Sequence, residues 1–196
     1  MSGAVPLVCI CGPSAAGKTT FAAHLAEQLR ASGRHPLLIA CDDYYRSGWS
    51  PNSRYGFDTV DAIDAEELRL QLSAVRYRQL VSLRSYDMRT RRVGSRLLNQ
   101  SYDLVLVEGS YGPQHLLEAV PIALVVYIET PLLPRLIKRL WRDVRERQRP
   151  ALYVIRQMLR EMLPGERRFI HPLKRRADVI VHGYDWDLEP VLSRID

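Results

Sequence analysis

The segment Gly12-Pro13-Ser14-Ala15-Ala16-Gly17-Lys18-Thr19 constrains this chain most, because it matches G-x-x-x-x-G-K-[ST] in full and in the right setting. Ahead of it, Val5–Cys11 is a short apolar run, the pattern of a buried strand. Behind it, Lys18–Ala31 puts Phe21, Ala22, Leu25, Ala26 and Leu29 on one helical face, and Gly33 supplies a C-terminal cap. In a strand–glycine loop–helix unit the backbone N–H groups turn inward, and the helix N-terminus adds partial positive charge. Such a loop holds phosphate. These residues and Thr20 are expected to bind ATP. Lys18 should reach the β- and γ-phosphates, and the Thr19 hydroxyl should ligate Mg²⁺.

The rest of the pattern alternates strand and helix. Pro36–Cys41 reads as a second buried strand, and Asp64-Ala65-Glu66-Glu67 as a capping box opening a helix with Leu68, Leu72 and Val75 inside. Leu104–Val107 and Ile122–Ile128 are continuous apolar runs of the kind buried on both faces of a parallel sheet. Thr130 reads as an N-cap, with Pro131 at the first helical position, and Ala177–Val181 as a last strand. The expectation is an α/β fold over residues 1–196, a single P-loop nucleotide-binding domain. Its parallel sheet is flanked by helices, and a basic helical lid spans roughly 138–165.

Composition matters where it is local. The net charge is +6, yet residues 135–149 carry +5 and residues 165–176 carry +4, so the remainder is −3. A basic C-terminal third implies an anionic partner there. No apolar run reaches a bilayer-spanning length, and the N-terminus lacks the basic region of a signal peptide. The three cysteines, Cys9, Cys11 and Cys41, fit reduced thiols in a cytoplasmic protein. Cys9 and Cys11 are read as strand packing.

Two carboxylate positions follow strands. Glu108 ends Asp103-Leu-Val-Leu-Val-Glu108, where an acid helps hold Mg²⁺ and its waters; the alternative is a surface strand end. Asp42-Asp43 follows the second strand, at the sheet edge where ligands collect. A carboxylate there can accept the proton of an attacking hydroxyl, or can simply cap a loop. Lys138, Arg142, Arg145 and Arg149 fall on one helical stripe, while Arg139, Asp143 and Arg147 are spaced for ion pairs. Such a stripe is either a solvated face or a lid that neutralises a transferring phosphoryl group.

These residues resemble the uridine kinase family, in the wider group that includes phosphoribulokinase. The likeness runs through Asp42-Asp-Tyr-Tyr-Arg46, Phe57-Asp58-Thr-Val-Asp61, Tyr86-Asp87 and Val107-Glu108-Gly109. It continues through Lys138-Arg139-Leu-Trp-Arg142-Asp143-Val-Arg-Glu146-Arg147-Gln148-Arg149 and Pro172-Leu-Lys174-Arg-Arg-Ala177-Asp178. The resemblance implies Asp42 as general base for a nucleoside 5′-hydroxyl, Asp58 and Arg139 at the ribose, and Tyr86 at the base. It sets Tyr45, Phe57 and Gln157 against the acceptor, and gives Arg142, Arg147 and Arg149 to the phosphates. The pattern breaks where uridine kinases carry a base-reading histidine: here stands Arg91, which either reads the acceptor or points to solvent beside Arg89 and Arg92.

The expected activity is ATP-dependent phosphorylation of uridine or cytidine. Alternatives are the same chemistry on pantothenate, another riboside or a sugar phosphate, and a non-catalytic nucleotide- or nucleic-acid-binding module. The lack of aromatic interleaving in the basic stretch argues against nucleic acid. The sequence points to no membrane partner and leaves homo-oligomerisation and the choice between ATP and GTP open.

Overall fold

The computed structural model describes residues 3–184 and 186–195. Strand β1 (Leu7–Cys11) leads through the glycine loop into α1 (Lys18–Ala31) and β2 (Pro36–Ala40). A 3₁₀ turn at Cys41–Tyr44 and another at Val60–Ala62 precede α2 (Ala65–Arg76). Next come β3 (Ser82–Asp87), β4 (Arg92–Leu97), β5 (Leu104–Gly109), α3 (Pro113–Leu116), β6 (Leu124–Glu129) and α4 (Leu132–Arg145). Beyond α5 (Ala151–Gln157), two π-helical turns, Met158–Met162 and Glu166–Ile170, flank α6 (Leu163–Gly165). They bracket Pro164, which has no N–H to give to the helical ladder. A 3₁₀ segment (His171–Arg176), β7 (Val179–His182) and α7 (Glu189–Leu192) complete the chain.

Five strands form one parallel sheet in the order β2-β5-β1-β6-β7. Every residue of β1 and β5 is buried, which explains their unbroken apolar runs. The period of two sends Val8 and Ile10 to one face, against Phe21, Leu25 and Leu29 of α1. Cys9 and Cys11 face the other way, onto Tyr44, Leu68 and Leu72. Burial of each large side chain contributes about 1.5–3 kcal/mol. β3 and β4 form a separate antiparallel hairpin, whose second strand is wholly exposed.

The connection leaving β1 crosses to β2 on one side, and the one leaving β5 crosses to β6 on the other. The crevice between β1 and β5 is thus the topological switch point, where open α/β sheets bind ligands. The register pairs Ile10 with Glu108 and Cys11 with Gly109, so the glycine loop and Glu108 open side by side. Gly12 has φ +149°, and a Cβ there would sit 2.5 Å from the Ile128 carbonyl oxygen. Only glycine fits that turn.

Beyond β1, β6 and β7 starting two residues later than the apolar runs suggest, at Leu7, Leu124 and Val179, further details differ from the sequence expectation. Thr130 is not the N-cap of the basic helix: Pro131 holds that position, and the Thr130 hydroxyl instead donates to the Ala16 carbonyl at 3.1 Å. The stripe through Lys138 and Arg142 ends at Arg145, because α4 stops there and Arg149 lies beyond it. β2 ends at Ala40, as Cys41 already belongs to the 3₁₀ turn. Among the described residues no helix is long and apolar enough to cross a membrane.

Candidate active site

A cavity of about 600 Å³ opens at the switch point. One wall is the glycine loop. Gly17 is the N-cap of α1 and no side chain caps that helix, so its first N–H groups remain free for an anion. Ala15 is held at φ +60°, a left-handed conformation costing about 1–2 kcal/mol in a non-glycine residue. Lys18 is buried; its ammonium donates to the Pro13 carbonyl at 2.9 Å and to Ser110 Oγ at 2.7 Å. Burial lowers its pKa, opposed by the charges of Glu108, Asp42 and Glu166. The Thr19 hydroxyl donates to Glu108 Oε1 at 2.9 Å. Burial raises Glu108 to about 7, against the pull of Lys18.

The two adjacent aspartates have different surroundings. Asp43 Oδ1 accepts the Tyr86 N–H at 3.0 Å, and the Asp43 carbonyl accepts from Arg84 Nε at 3.0 Å. Asp43 therefore anchors the hairpin, and burial raises its pKa. Asp42 is exposed to the cavity and has no hydrogen-bond partner among the described residues. It lies close enough to Lys18 on one side and Tyr45 on the other for its charge to raise the pKa of both, although burial is the larger cause at each.

Tyr45, Phe57, Tyr86 and Met88 line the cavity as an aromatic and apolar compartment, and the Tyr45 and Tyr86 rings lie 5.9 Å apart. At its edge Asp58 and Arg139, both buried, form a bidentate pair at 3.1 and 3.1 Å. Burial weighs against the charge on Arg139, yet the Asp58 carboxylate brings its pKa above the ordinary value. Each Asp58 oxygen keeps a lone pair, so the pairing does not prevent it from accepting a hydroxyl. Gln157 is buried on the same wall, with its Oε1 3.5 Å from Arg149 Nη1. Arg91 lies on this wall too. Its guanidinium covers the Phe57 ring at 4.6 Å, and its backbone is left-handed at φ +58°.

Arg142, Arg147 and Arg149 line the cavity, but Arg145 does not; it stacks on Trp141. The arginines gather around Asp143, which is 0% exposed. Arg142 Nε is 3.0 Å from its carboxylate, Arg147 Nη1 3.4 Å, Arg139 Nε 3.7 Å and Arg149 Nη1 3.7 Å. Asp58 also holds Arg139, which leaves Arg142, Arg147 and Arg149 to a single carboxylate that cannot neutralise all three. Burial and neighbouring Arg142 lower the pKa of Arg147, as expected for crowded cations that a polyanion would relieve.

Several contributors escaped the sequence reading. Glu166, 1% exposed, pairs with Arg135 at 2.9 and 3.1 Å and accepts the Ser14 N–H at 2.9 Å. Arg135 Nη1 donates to the Ser14 carbonyl at 2.9 Å, and Arg139 Nη1 to Ser14 Oγ at 3.1 Å, so the basic helix grips the glycine loop at one residue. Tyr111 is buried beside Asp58 with no partner for its hydroxyl among the described residues. Gly165 lets the end of α6 pack against the Asp58 carbonyl and that hydroxyl, where any Cβ would collide. None of these had a signal in local spacing, unlike Asp143, whose distance from Arg139 and Arg147 marked it as an ion-pair partner.

A phosphate loop at the switch point of a parallel sheet, facing a carboxylate and a surplus of guanidinium groups, defines a P-loop phosphotransferase. The comparisons agree. The chain belongs to the phosphoribulokinase/uridine kinase family, which it matches over residues 7–186. It is 31% identical over 182 residues to a uridine kinase of Lactobacillus johnsonii, covering 89% of this chain and 85% of that one. It is 30% identical over 177 residues to a uridine kinase of Halobacterium salinarum, covering 88% and 77%. The fold is shared with a possible uridine kinase of Bacillus stearothermophilus (TM-score 0.65, 21% identity, 92% and 90% covered). Phosphoribulokinase of Rhodobacter spheroides shares it as well (TM-score 0.63, 16% identity, 92% and 71% covered). The protein is an ATP-dependent phosphotransferase of this family.

Proposed function

We propose that this protein transfers the γ-phosphoryl group of ATP to the 5′-hydroxyl of a nucleoside, uridine foremost. One observation carries the reading: a single cavity joins the glycine loop to an aromatic compartment, and Asp42 stands within reach of both. Relatives at 30–31% identity that bear the name uridine kinase support it. ATP lies with its phosphates along Gly12–Thr20. The nucleoside base lies among Tyr45, Phe57 and Tyr86, and its ribose hydroxyls face Asp58 and Arg139. Asp42 accepts the proton of the attacking 5′-hydroxyl. Lys18, Arg142, Arg147 and Arg149 neutralise charge on the phosphoryl group as it moves.

Thr19 and Glu108 are adjacent hard oxygen donors, the type that holds Mg²⁺ together with substrate phosphates rather than in an all-protein cage. Bound there, Mg²⁺ would offset phosphate charge. The helices from α4 to α6 form the lid arm over the phosphates, within one kinase domain spanning the chain.

Arg147→Ala and Arg149→Ala should lower kcat more than they raise KM for the acceptor, because their charge matters most during transfer. Steady-state kinetics decide this: a KM effect with kcat intact would make these residues a docking surface.

ADP release across nucleosides, pantothenate and sugar phosphates tests the acceptor. Arg91 sharpens the expectation, since its guanidinium has only donors and no acidic partner among the described residues. Facing position 4 of a pyrimidine, it matches the O4 of uridine and opposes the amino group of cytidine. Uridine should therefore exceed cytidine by at least about tenfold in kcat/KM, and Arg91→His should draw the two together. Equal use of both, unchanged by the substitution, would show that Arg91 does not read the acceptor. Turnover of an anionic acceptor and of neither nucleoside would move the acceptor class while leaving the phosphotransfer chemistry in place.

A further inference from the structure

The glycine loop accounts for the donor's phosphates and leaves its base without a partner. With Lys18 at the β- and γ-phosphates, the donor's ribose and base continue from the α-phosphate past Thr19 and Thr20. Thr20 lines the same cavity as Ile137 and Trp141 of α4. Those two side chains are four residues apart on one helical face and are 68% and 55% exposed. What sets this pair apart from other exposed apolar residues is that it is contiguous and lines a ligand cavity, the setting in which such a patch marks a binding surface. The other aromatic side chains that line the cavity, Tyr45, Phe57, Tyr86 and Tyr111, come from outside the lid arm, and the first three serve the acceptor in the reading above.

One further contact falls on Trp141 and another on the helix that carries it. Arg145, one turn on, lies over the indole with its guanidinium carbon 5.3 Å from the ring centroid, and Trp141 is still more than half exposed. Lys138 puts its ammonium 3.2 Å from the centroid of Tyr184, and the Tyr184 hydroxyl donates to the Ala15 carbonyl at 3.3 Å. That brace ties α4, which carries Trp141, to the glycine loop.

We propose that Trp141, backed by Arg145 and flanked by Ile137, is the stacking platform for the purine base of the nucleoside triphosphate donor. The proposal rests on the triphosphate donor and not on the identity of the acceptor. An indole offers a flat, polarisable face to a base, and such stacking contributes measurably to affinity without reading the base edge.

The test compares a donor that has a base with one that has none. A non-hydrolysable ATP analogue and inorganic tripolyphosphate are titrated calorimetrically, without acceptor, into the full chain, Trp141→Ala and Trp141→Phe. Trp141→Ala should weaken the analogue about tenfold and change tripolyphosphate by less than about twofold, and Trp141→Phe should recover most of the loss. Equal weakening of both ligands would mean that Trp141 only supports the loop, and the proposal fails. Unchanged analogue binding also overturns it, including the case where sizing chromatography shows that the substitution alters self-association instead. A parent chain that binds tripolyphosphate and the analogue equally well has no base site at all. Failure of every nucleoside acceptor would leave this result standing, so the two readings fall separately.

Discussion

Lys18→Ala is expected to abolish phosphotransfer and to weaken ATP binding strongly, with kcat/KM falling by at least about 10³-fold. The ammonium has three N–H groups, and two are committed, to Pro13 and Ser110. The third is left for a phosphate oxygen, and a methyl group cannot replace it. Burial works against the charge on Lys18, so the nearby carboxylates of Glu108, Asp42 and Glu166 help keep it protonated. Ser110→Ala removes one tether and leaves the charge, so it should cost far less. The purified variant would be assayed for ADP release and for melting temperature. Near-normal ATP-dependent phosphorylation by a folded Lys18→Ala protein would remove the basis for treating the loop as the donor site.

The contrast between Lys18 and its partner Ser110 shows what the sequence could and could not display. Lys18 is legible because its place in the cavity is written in a local spacing, a glycine loop between an apolar strand and an amphipathic helix. The same holds for β1, β5 and β6, whose double-sided burial leaves unbroken apolar runs, and for α2, where the Asp64 side chain accepts the Glu67 N–H at 3.4 Å. Thr130 shows the limit of local pattern. Thr-Pro before a helix is a sound N-cap signal, but its hydroxyl found the Ala16 carbonyl, 114 residues away, which no capping rule anticipates.

Long-range polar contacts account for most of what was missed. Glu166 and Ser14 are 152 residues apart, and Glu166 has no spacing partner that would set it apart from any acid in a basic stretch. Asp143 was legible as an i,i+4 partner of Arg139 and Arg147. Its contact with Arg149 depends on the chain turning after Arg145, where the helical period no longer applies. Arg145 shares a stripe with Lys138 and Arg142 by period, and its place over Trp141, outside the cavity lining, is not something the period could tell. Arg91 was legible only as a break in a family pattern; that it stacks on Phe57 follows from a left-handed turn residue at the hairpin loop.

Asp42→Asn should lower kcat by roughly 10²–10⁴-fold while barely changing ATP affinity, the mark of a lost base. Asparagine keeps the shape and the hydrogen-bonding reach of aspartate but cannot take the proton of an attacking hydroxyl. The structure makes Asp43 the natural control. Its Oδ1 accepts the Tyr86 N–H, and an asparagine oxygen can accept the same bond, so Asp43→Asn should retain most activity. Asp42 has no comparable tether among the described residues and faces the cavity. Its loss should therefore leave the hairpin and the melting temperature as they were. Both variants would be followed through kcat, acceptor KM and ATP affinity. A normal kcat in Asp42→Asn together with a large loss in Asp43→Asn would exchange the two assignments. That outcome would require the Asp43 carboxylate to leave the Tyr86 amide and turn into the cavity when the acceptor binds, and crystals of the Asp42→Asn protein grown with nucleoside would show whether it does.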